Sequence, residues 1–312
     1  MGQVTPAQIA QVKARGFLWN RGSTCFNARA VAGNGVYTSE QLRLLADCAE
    51  KYGNGTAALT TRLTIEMSGV PYDHIETLEQ ALAGSGMMIG GTGAKIRPVV
   101  ACKGTTCVYG NFDTQALAKE IHEKYFLGWQ QVKLPHKFKI AVGGCPNSCM
   151  KPSLNDFGLE GHRTPHLSEE ICRSCKKCMV EEKCPMHAAS RPDGGQPQID
   201  RSVCTSCGVC TRSCPFHAML DEGQEQYAIY VGGTWGKKTR MANRLPGYFS
   251  REELFPMLEK TLLWFKENAY QKERLGAAID RLGVDKLEHD LLEGDLLARK
   301  QEILAAEIQV RG

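Results

Sequence analysis

Residues 172–185 read CRSCKKCMVEEKCP, and residues 204–215 read CTSCGVCTRSCP. Each stretch places three cysteines at intervals of two residues and ends in a fourth cysteine that is followed by proline. Thiolates at this spacing let a short backbone wrap around an iron–sulfur cube, so each stretch predicts [4Fe–4S] ligands. Proline fixes its own φ and can redirect the chain directly after the last ligand.

Twelve of the 14 cysteines follow this kind of order, and only Cys25 and Cys48 are left over. Two separated pairs come before the two quartets and supply four more thiolates. The twelve are Cys102 and Cys107, Cys145 and Cys149, Cys172, Cys175, Cys178 and Cys184, and Cys204, Cys207, Cys210 and Cys214. The pattern predicts three [4Fe–4S] clusters, and a series of clusters indicates electron transfer.

The second quartet has the spacing C-x2-C-x2-C-x3-C-P, which resembles the run of bacterial two-cluster ferredoxins. The first quartet has two more residues before its last cysteine. In that arrangement the fourth cysteine of each run ligates the other cluster. The resemblance therefore implies two crossed sets, which are Cys172, Cys175, Cys178 and Cys214, and Cys204, Cys207, Cys210 and Cys184.

Disulfides and zinc are the alternative interpretations of these cysteines. No signal-peptide pattern precedes them, and the chain is much longer than the small secreted scaffolds that depend on disulfides. Zinc ribbons usually separate two C-x-x-C knuckles by a longer linker than the two residues between Cys175 and Cys178. We therefore expect a reduced, anaerobic cytoplasm.

Bulk composition restricts the class of partner. The chain has 312 residues, 42% hydrophobic and 23% charged, with a net charge of +4. These values are ordinary for a soluble globular protein, and no basic run is long enough to follow a nucleic-acid backbone. No apolar stretch approaches the roughly 20 residues of a membrane span. A small anionic substrate remains compatible, because it needs only a local basic pocket.

The segments around the separated cysteine pairs resemble sulfite and nitrite reductases that contain sirohaem. KFKIAVGGCPNSC at 137–149, followed by LNDFGLEG at 154–161, resembles the sirohaem-binding segment of that family. TAALTTRLTIEM, GTGAKIRPVVACKGTTC and VGGTWGKKTRMANRL resemble three further family segments, at 56–67, 91–107 and 231–245. In layout the chain is most similar to small anaerobic, dissimilatory-type subunits with an inserted ferredoxin.

The resemblance implies an α+β fold, a sulfite/nitrite reductase half-repeat with an inserted 2[4Fe–4S] ferredoxin domain. The expected domains are a ferredoxin-like half-domain at 1–94, a sirohaem and [4Fe–4S] domain at 95–164 and 223–293, the insert at 165–222, and a helical tail at 294–312. It also implies a sirohaem whose iron shares the thiolate of Cys149 with a cluster. The chain departs from the family in having four residues between Cys102 and Cys107, where five are usual.

A basic pocket for an oxyanion is expected ahead of Cys145. Lys137 and Lys139 lie two apart on a predicted strand, so both point to one face while Phe138 and Ile140 point to the other. A solvated strand face is the ordinary interpretation of such lysines. Their match to the substrate-binding lysines of the family instead implies catalytic roles.

Other cations are assigned by the same resemblance. Arg97 corresponds to the substrate arginine of the family, and Arg62 to an arginine that holds sirohaem carboxylates. Lys237, Lys238 and Arg240 are further candidates for the carboxylates, although a charged surface turn is equally compatible. The chain departs again at Asn27, where larger enzymes have an arginine, and Arg29 lies two residues on. His136 is a candidate proton donor, or simply a surface histidine.

The resemblance implies an oxidoreductase that reduces sulfite to sulfide with six electrons. Nitrite reduction to ammonia is an alternative, as is an electron-transfer subunit without sirohaem; a relative acting in tetrapyrrole or cobalamin biosynthesis fits the insert less well. No Rossmann or flavin motif is found, so an external donor is expected, either a ferredoxin or a flavin or NADH subunit. Because larger relatives contain two copies of this half, a homodimer or hetero-oligomer is expected.

Periodicity predicts the main helices and strands. Strands are expected near 26–31, 57–61, 63–67, 96–100, 137–142 and 227–231. One helix is expected from Thr38 to Gly53, with Leu42, Leu45, Ala46 and Ala49 on one stripe. Another is expected at 251–269, with Leu254, Leu258, Leu262 and Phe265 buried. Further helices are expected near 72–82, 114–124, 270–281, 285–292 and 294–309.

Overall fold

The structure is a computed structural model that describes residues 4–221 and 223–311. These residues form two compact units. The first contains 4–101, 116–141 and 262–311, and the second contains 102–115 and 142–261 apart from residue 222. All twelve cysteines of the three predicted clusters belong to the second unit, whereas Arg62, Arg97, Lys137 and Lys139 belong to the first.

An antiparallel sheet with helices on it forms the amino-terminal part of the first unit. Its elements are α1 Pro6–Lys13, β1 Phe17–Trp19, β2 Cys25–Val31, α2 Ser39–Tyr52, β3 Ala57–Leu59, β4 Ile65–Pro71, α3 Ile75–Leu82 and β5 Met88–Ile89. From β2 to β5 the chain follows the βαββαβ order, and the strands lie in the order β5-β2-β4-β3 with β1 also on β2. This is a ferredoxin-like arrangement, and it confirms the fold class expected for this part.

Helix α2 begins at a capping box. The Oγ1 atom of Thr38 accepts a hydrogen bond from the backbone N–H of Gln41 at 3.2 Å, and Gln41 Oε1 accepts one from the N–H of Thr38 at 3.0 Å. This reciprocal pair satisfies two backbone donors that a helix start would otherwise leave unpaired. The helix therefore starts where the sequence predicted and ends at Tyr52, directly before Gly53.

The buried stripe of α2 differs from the predicted one. Leu45 and Ala49 are buried as expected, but Leu42 and Ala46 are exposed. The third buried residue of the stripe is Cys48. A free cysteine packs like a small apolar side chain, so the buried face of α2 is centred on Leu45, Cys48 and Ala49.

The remaining elements, in chain order, are β6 Val100–Ala101, α4 Thr114–Ile121, β7 Ile140–Gly143, β8 Phe157–His162, β9 His166–Leu167, α5 Met179–Lys183, β10 Ala189–Ser190, β11 Gln198–Ile199, α6 Val209–Ser213, β12 Met219–Leu220, β13 Gln226–Val231, β14 Asn243–Arg244, α7 Arg251–Asn268, α8 Leu275–Leu282, α9 Val284–Leu292 and α10 Lys300–Ala305. A second sheet has the strand order β14-β13-β8-β7-β6, and the boundary between the units falls within β7.

Two predicted strands are shorter than expected. The strand predicted at 96–100 is reduced to an isolated bridge between Ile96 and Phe138, followed by β6. Pro98 has no backbone N–H to donate, so it interrupts the ladder between them. The strand predicted from Lys137 begins only at Ile140, after the same bridge.

The helices at the end of the chain confirm one prediction and correct another. Leu254, Leu258, Leu262 and Phe265 of α7 are all fully buried, as expected. The tail, expected to be helical over 294–309, is helical only in α10. Beyond it the backbone is held by side chains and amides of residues 266–271: Lys266 Nζ donates to the carbonyl of Ala306 at 2.8 Å, and the N–H of Gln271 donates to that of Gln309 at 2.7 Å.

Helix α4 also ends earlier than predicted, at Ile121 rather than Lys124, and a π-helical turn at His122–Leu127 follows it.

Strands β8 and β13 pair antiparallel in continuous register from His162 with Gln226 to Phe157 with Val231. Within residues 4–221 and 223–311, no helix has both the length and the apolar character needed to cross a bilayer.

Candidate iron–sulfur and anion sites

Two cavities in the cysteine-rich insert are each lined by one set of four cysteines. The first, a space of about 430 Å³ that opens to solvent, is lined by Cys172, Cys175, Cys178 and Cys214. The second, of about 320 Å³, is lined by Cys184, Cys204, Cys207 and Cys210. In both, three cysteines come from one run and the fourth comes from the other run. These are the crossed sets that the ferredoxin resemblance implies.

The two halves of the insert repeat the same local backbone. Ser174, which precedes Cys175, and Ser206, which precedes Cys207, are both left-handed, with φ of 43° and 52°. His187 and His217, each three residues after the last cysteine of a run, are left-handed as well, with φ of 52° and 55°. Non-glycine residues rarely adopt this conformation, and they retain it where surrounding structure requires it. The repeat therefore indicates two loops shaped for the same purpose.

In the second half of the insert, backbone amides point at one cysteine sulfur of each cavity. The N–H of Ser206 donates to Cys204 Sγ and the N–H of Ala218 donates to Cys214 Sγ, each at 3.4 Å. Hydrogen bonds to ligand sulfurs stabilise the thiolate form and help to set a cluster's reduction potential.

Crowded thiols in the second cavity disfavour the charged form of Cys210. Burial, together with the negative charges of Cys207, Cys204 and Cys184, raises the pKa of Cys210 to about 12. A metal-binding thiol must be deprotonated, so positive metal charge would offset this repulsion. The same contacts place Cys184 with the three cysteines of the other run.

The separated pairs form a third set of four, also within the second unit. Burial raises the pKa of the Cys145 thiol, and the nearby charges of Cys102, Cys149 and Cys107 raise it further. The backbone N–H of Gly144 donates to Cys102 Sγ at 3.2 Å. The loop of four residues between Cys102 and Cys107 thus still brings both thiols to the other pair.

Small residues make this approach possible. A Cβ on Gly144 would lie 3.2 Å from the Cα of Gly104, and a Cβ on Gly110 would lie 1.9 Å from the carbonyl oxygen of Gly104. The carbonyl of Cys102 accepts hydrogen bonds from Thr114 Oγ1 and Gln115 Nε2, both at 2.8 Å. Ser148, directly before Cys149, is left-handed with φ of 54°, like the serines of the insert.

The donor sets suit iron–sulfur cubes. Each insert set consists of four thiols around a space, and in all three sets an amide donor is aimed at one of the sulfurs. In a [4Fe–4S] cluster each thiolate binds a different iron, so the ligands surround a volume and do not converge on one point. Among the described residues, no three side chains of His, Cys, Asp or Glu form a group suited to a single metal ion.

The basic residues of the first unit occupy an extended segment before β7. Phe138 and Ile140 are fully buried, while Lys137 and Lys139 are half-buried. The alternation expected for a strand is therefore present, although the strand itself begins at Ile140. The N–H of Phe138 donates to the carbonyl of Lys95 at 3.1 Å, and the N–H of Arg97 donates to the carbonyl of Phe138 at 2.7 Å. These bonds hold Arg97 beside the two lysines.

Arg29 lies next to Arg97 and is compensated by a carboxylate. Both guanidinium groups donate to the carbonyl of Gly91. Arg29 also forms an ion pair with Glu66, its cross-strand neighbour, at 2.5 Å, and Asn27 Nδ2 donates to the same carboxylate at 3.4 Å. Since Glu66 already neutralises it, Arg29 offers less charge to an external anion than its position suggests.

His136 lies among positively charged side chains, and its pKa is lowered. Burial, and then the positive charges of Arg274, Lys137 and Arg97, lower the pKa of His136 to about 4. Its Nδ1 atom accepts a hydrogen bond from the N–H of Lys137 at 2.7 Å, which assigns the proton of the neutral ring to Nε2. We call Arg97, His136, Lys137 and Arg274 the basic group.

The remaining predicted residues have other surroundings. Arg62 Nη2 donates to the carbonyls of Pro98 and Ile140, at 2.5 and 3.0 Å, so it joins the two segments that carry Arg97 and Lys139. In the second unit, Lys237 and Lys238 are exposed. Arg240 is half-buried and donates to the carbonyl of Gly232 and to Asn243 Oδ1.

Arg274 and Glu66 were not predicted from the sequence. Arg274 reaches the basic group because the N–H of Lys272 donates to the carbonyl of Pro135 at 2.9 Å, which joins two segments far apart in the chain. No local motif signals that contact. Glu66 could have been found, because it lies in the quoted segment 56–67 and a lone carboxylate there needs a cationic partner.

Comparisons with known proteins identify the family of the chain. Residues 92–296 match the model of the nitrite and sulphite reductase 4Fe-4S domain, and residues 21–85 match the nitrite/sulfite reductase ferredoxin-like half domain. The chain is 31% identical over 276 residues to a coenzyme F420-dependent sulfite reductase of Methanocaldococcus jannaschii, an alignment that covers 87% of this chain and 43% of that protein. The chain thus spans less than half the length of that relative.

Two further comparisons extend over most of the chain. The beta subunit of a dissimilatory-type sulfite reductase from Nitratidesulfovibrio vulgaris is 28% identical over 272 residues, which is 78% of this chain and 71% of that subunit. A crystal structure of dissimilatory sulfite reductase I superposes with a TM-score of 0.68 at 20% identity, covering 92% of this chain and 72% of the other. At that identity the superposition shows a shared fold.

Proposed function

Since the chain belongs to the nitrite and sulfite reductase family, whose 4Fe-4S domain covers residues 92–296, we propose that it reduces sulfite to sulfide. The proposal includes three [4Fe–4S] clusters and a sirohaem as cofactors. The observation that carries it is the gathering of twelve cysteines into three sets of four. Relatives that are named sulfite reductases support sulfite as the substrate in preference to nitrite.

When bound, the clusters and the sirohaem supply one-electron carriers and an iron that takes sulfite through its sulfur. The chain contributes the ligands. The two insert sets would hold the relay clusters, and Cys102, Cys107, Cys145 and Cys149 would hold the cluster coupled to sirohaem, with Cys149 as the shared thiolate. Among these four thiols Cys149 is the exposed one, as a sulfur that faces a second group requires.

The basic group would neutralise and orient the oxyanion. Arg97 and Lys137 donate charged hydrogen bonds, which are stronger than neutral ones. His136 stays neutral and keeps its Nε2 proton, so it can donate to a sulfite oxygen without adding charge. As the S–O bonds break, these groups and Lys139 stabilise the negative charge that develops and help to deliver protons. Arg62, Lys237, Lys238 and Arg240 are proposed partners of sirohaem carboxylates.

An absorption spectrum with an iron count tests this proposal. Protein purified and reconstituted without oxygen should contain about thirteen irons per chain, four for each cube and one for the haem. Its haem band should shift on adding sulfite after reduction, and sulfide should form. Clusters without a haem band would instead favour an electron-transfer subunit. Faster turnover of nitrite than of sulfite would favour ammonia formation.

We also propose that the protein works with other chains. An external donor, a ferredoxin or a flavin or NADH subunit, would supply the electrons, and a second copy or a related subunit would complete the assembly. Relatives named as subunits of sulfite reductases support this. Mass measurement of the holoprotein at working concentration would distinguish a monomer from a dimer or larger complex.

A further inference from the structure

Asn111 is a buried asparagine between two of the cysteine loops of the second unit. It lies four residues after Cys107 and is 3% exposed. Its backbone N–H donates to the carbonyl of Gly144 at 2.9 Å, directly before Cys145. Its side-chain Nδ2 donates to the carbonyl of Gly161 at 3.1 Å and to the carbonyl of Cys207 at 3.4 Å. We call the set of Cys102, Cys107, Cys145 and Cys149 the split-pair site. Asn111 therefore bonds to the loops of the split-pair site and to a cysteine loop of the insert.

The acceptor atoms of Asn111 are used as well. Arg212 Nη1 donates to its Oδ1, and Arg163 Nη2 donates to its backbone carbonyl, both at 3.1 Å. Arg163 also pairs with the insert through its own backbone, because its N–H donates to the carbonyl of Ser206 at 2.7 Å. With donors and acceptors all engaged, the orientation of the Asn111 amide is fixed.

Close packing around Gly208 strengthens this connection. A Cβ at Gly208 would lie 2.8 Å from Asn111 Oδ1 and 3.1 Å from Arg163 side-chain atoms, and the φ of Gly208 is +73°. Only glycine allows the loop after Cys207 to come this close. The contact is therefore built by the backbone of both sides as well as by the asparagine side chain.

We propose that Asn111 is a positioning residue that fixes the loop of Cys207 against the loops of Cys107 and Cys145. The insert site of Cys184, Cys204, Cys207 and Cys210 is then the immediate neighbour of the split-pair site. The inference rests on the proposed function in one respect, that both sites hold clusters. Two redox centres that exchange electrons need a fixed separation, and a buried amide bonded to both ligand loops supplies it.

Two substitutions at this position test the proposal. Asn111→Asp keeps the shape and the Oδ1 acceptor for Arg212, but places an oxygen against the carbonyls of Gly161 and Cys207. Asn111→Ala removes the side-chain bonds altogether. Asn54→Ala is the matched control, since Asn54 lies in the first unit and its Oδ1 accepts local hydrogen bonds from the backbone N–H and the hydroxyl of Thr56. Arg212→Gln is a milder variant that leaves the Nδ2 bonds in place.

The main readout is the magnetic interaction between two reduced clusters, the one at Cys184, Cys204, Cys207 and Cys210 and the one at the split-pair site. It is measured by electron paramagnetic resonance at equal iron content. We expect the splitting to fall at least about twofold in both Asn111 variants, partly in Arg212→Gln, and not in Asn54→Ala. Turnover with a protein donor should fall roughly tenfold, the lower range for residues that orient metal ligands. Amide exchange of segments 142–146 and 205–209 should rise in parallel.

The outcomes separate this inference from the proposed function. Unchanged splitting and exchange in Asn111 variants that contain full iron would overturn the inference alone. If the Asn111 variants lose iron, Arg212→Gln becomes the deciding variant. An unchanged magnetic splitting in Arg212→Gln, together with unchanged amide exchange at 205–209 in both Asn111 variants, would then also overturn the inference. A wild-type protein that binds no clusters would overturn the proposed function, and the inference with it.

Discussion

The cysteine insert and the basic group are built in opposite ways. Each insert site takes three cysteines from one run of seven residues, and its shape comes from local turns such as the left-handed Ser174 and Ser206. The basic group takes Arg97, His136, Lys137 and Arg274 from three separate segments. An insert site is therefore formed mainly by residues close together in the sequence, whereas the basic group is brought together only when the chain folds.

The split-pair site lies between these two extremes. Its four cysteines come from two distant loops, like the members of the basic group. Its Ser148 nevertheless has the same left-handed backbone before a cysteine as the insert serines. An assembled site can thus reuse a local device, and the following experiments ask how far each description holds.

The largest effect is expected from Cys149→Ser. If Cys149 is the shared thiolate that we propose, its loss should lower sulfite turnover at least about 100-fold and alter the haem band, while the eight insert cysteines keep their iron. Turnover and spectra of the purified variant check this. Cys175→Ser should give the converse result, with the haem band and its shift on sulfite retained and turnover with a protein donor lost.

Cys25→Ser is the control for both, because Cys25 belongs to none of the three sets. Equal loss of the haem band in Cys149→Ser and Cys175→Ser would show that the split-pair site and the insert are not separable.

A smaller effect is expected from Lys137→Gln. Removing one charged donor to the oxyanion costs about 1.5–3 kcal/mol, so the KM for sulfite should rise about tenfold to hundredfold. Steady-state kinetics measure this, and Lys133→Gln, an exposed lysine four residues earlier, should leave KM unchanged. Equal changes in the two variants would mean that general surface charge, and not the basic group, attracts the anion.

Substitution of the three left-handed serines tests whether the split-pair site shares the backbone device of the insert. Ser148→Val, Ser174→Val and Ser206→Val should each destabilise the loop by about 1–2 kcal/mol, because a β-branched side chain is disfavoured at positive φ more strongly than serine. Iron release to a chelator should then be about fivefold to thirtyfold faster.

The corresponding glycine variants should release iron no faster than the wild type. Ser190→Val, in the extended and exposed β10, should have no effect. If Ser148→Val behaved like Ser190→Val, the resemblance between the loops would be only geometric.

The smallest effect concerns pH. The pKa of His136 and that of the buried His122 are both lowered to about 4, below the unfolded value of about 6.5. The unfolded chain therefore binds more protons between these values, and stability falls as pH decreases from about 6.5 to 4. His136→Gln should reduce the loss of unfolding free energy between pH 7 and pH 5 by about 1 kcal/mol after allowance for solvent screening, as measured by denaturant unfolding at the two pH values.

Sulfate distinguishes the two histidines. Burial alone lowers the pKa of His122, whereas positive neighbours contribute at His136. An anion bound to the basic group should raise the pKa of His136 and so reduce the part of the acid-induced loss of stability that is due to His136. Added sulfate should therefore reduce the difference in acid-induced stability loss between wild type and His136→Gln. It should not reduce the corresponding difference between wild type and His122→Gln. An identical response of the two variants would argue against a shared anion site.

The sequence predicted most of the fold because the relevant patterns are local. The capping box at Thr38 and the apolar period of α7 depend on residues a few positions apart. Errors arose where a single residue changed the local balance, as Pro98 did by removing one donor from a predicted strand, and as Cys48 did in α2.

Site residues follow the same division. The spacing of the cysteine runs resembles that of two-cluster ferredoxins, and this resemblance names the four members of each insert cavity. Arg274 and Asn111 could not be named in this way, because the contacts that give them a role come from segments 135–137, 144, 161 and 207. The compensation of Arg29 by Glu66 likewise depends on strand register and not on either residue alone.

The position of the insert has a consequence for how such chains evolve. It leaves after β8 and returns at β13, where His162 and Gln226 are paired, and Gln226 Oε1 accepts a hydrogen bond from the N–H of Thr164 at 2.9 Å. The cysteine-rich insert is thus a module at the tip of the hairpin formed by β8 and β13. Because closing a loop costs only about 0.6 kcal/mol more for each doubling of its length, a lineage can gain, exchange or lose this module while the underlying sheet keeps its register.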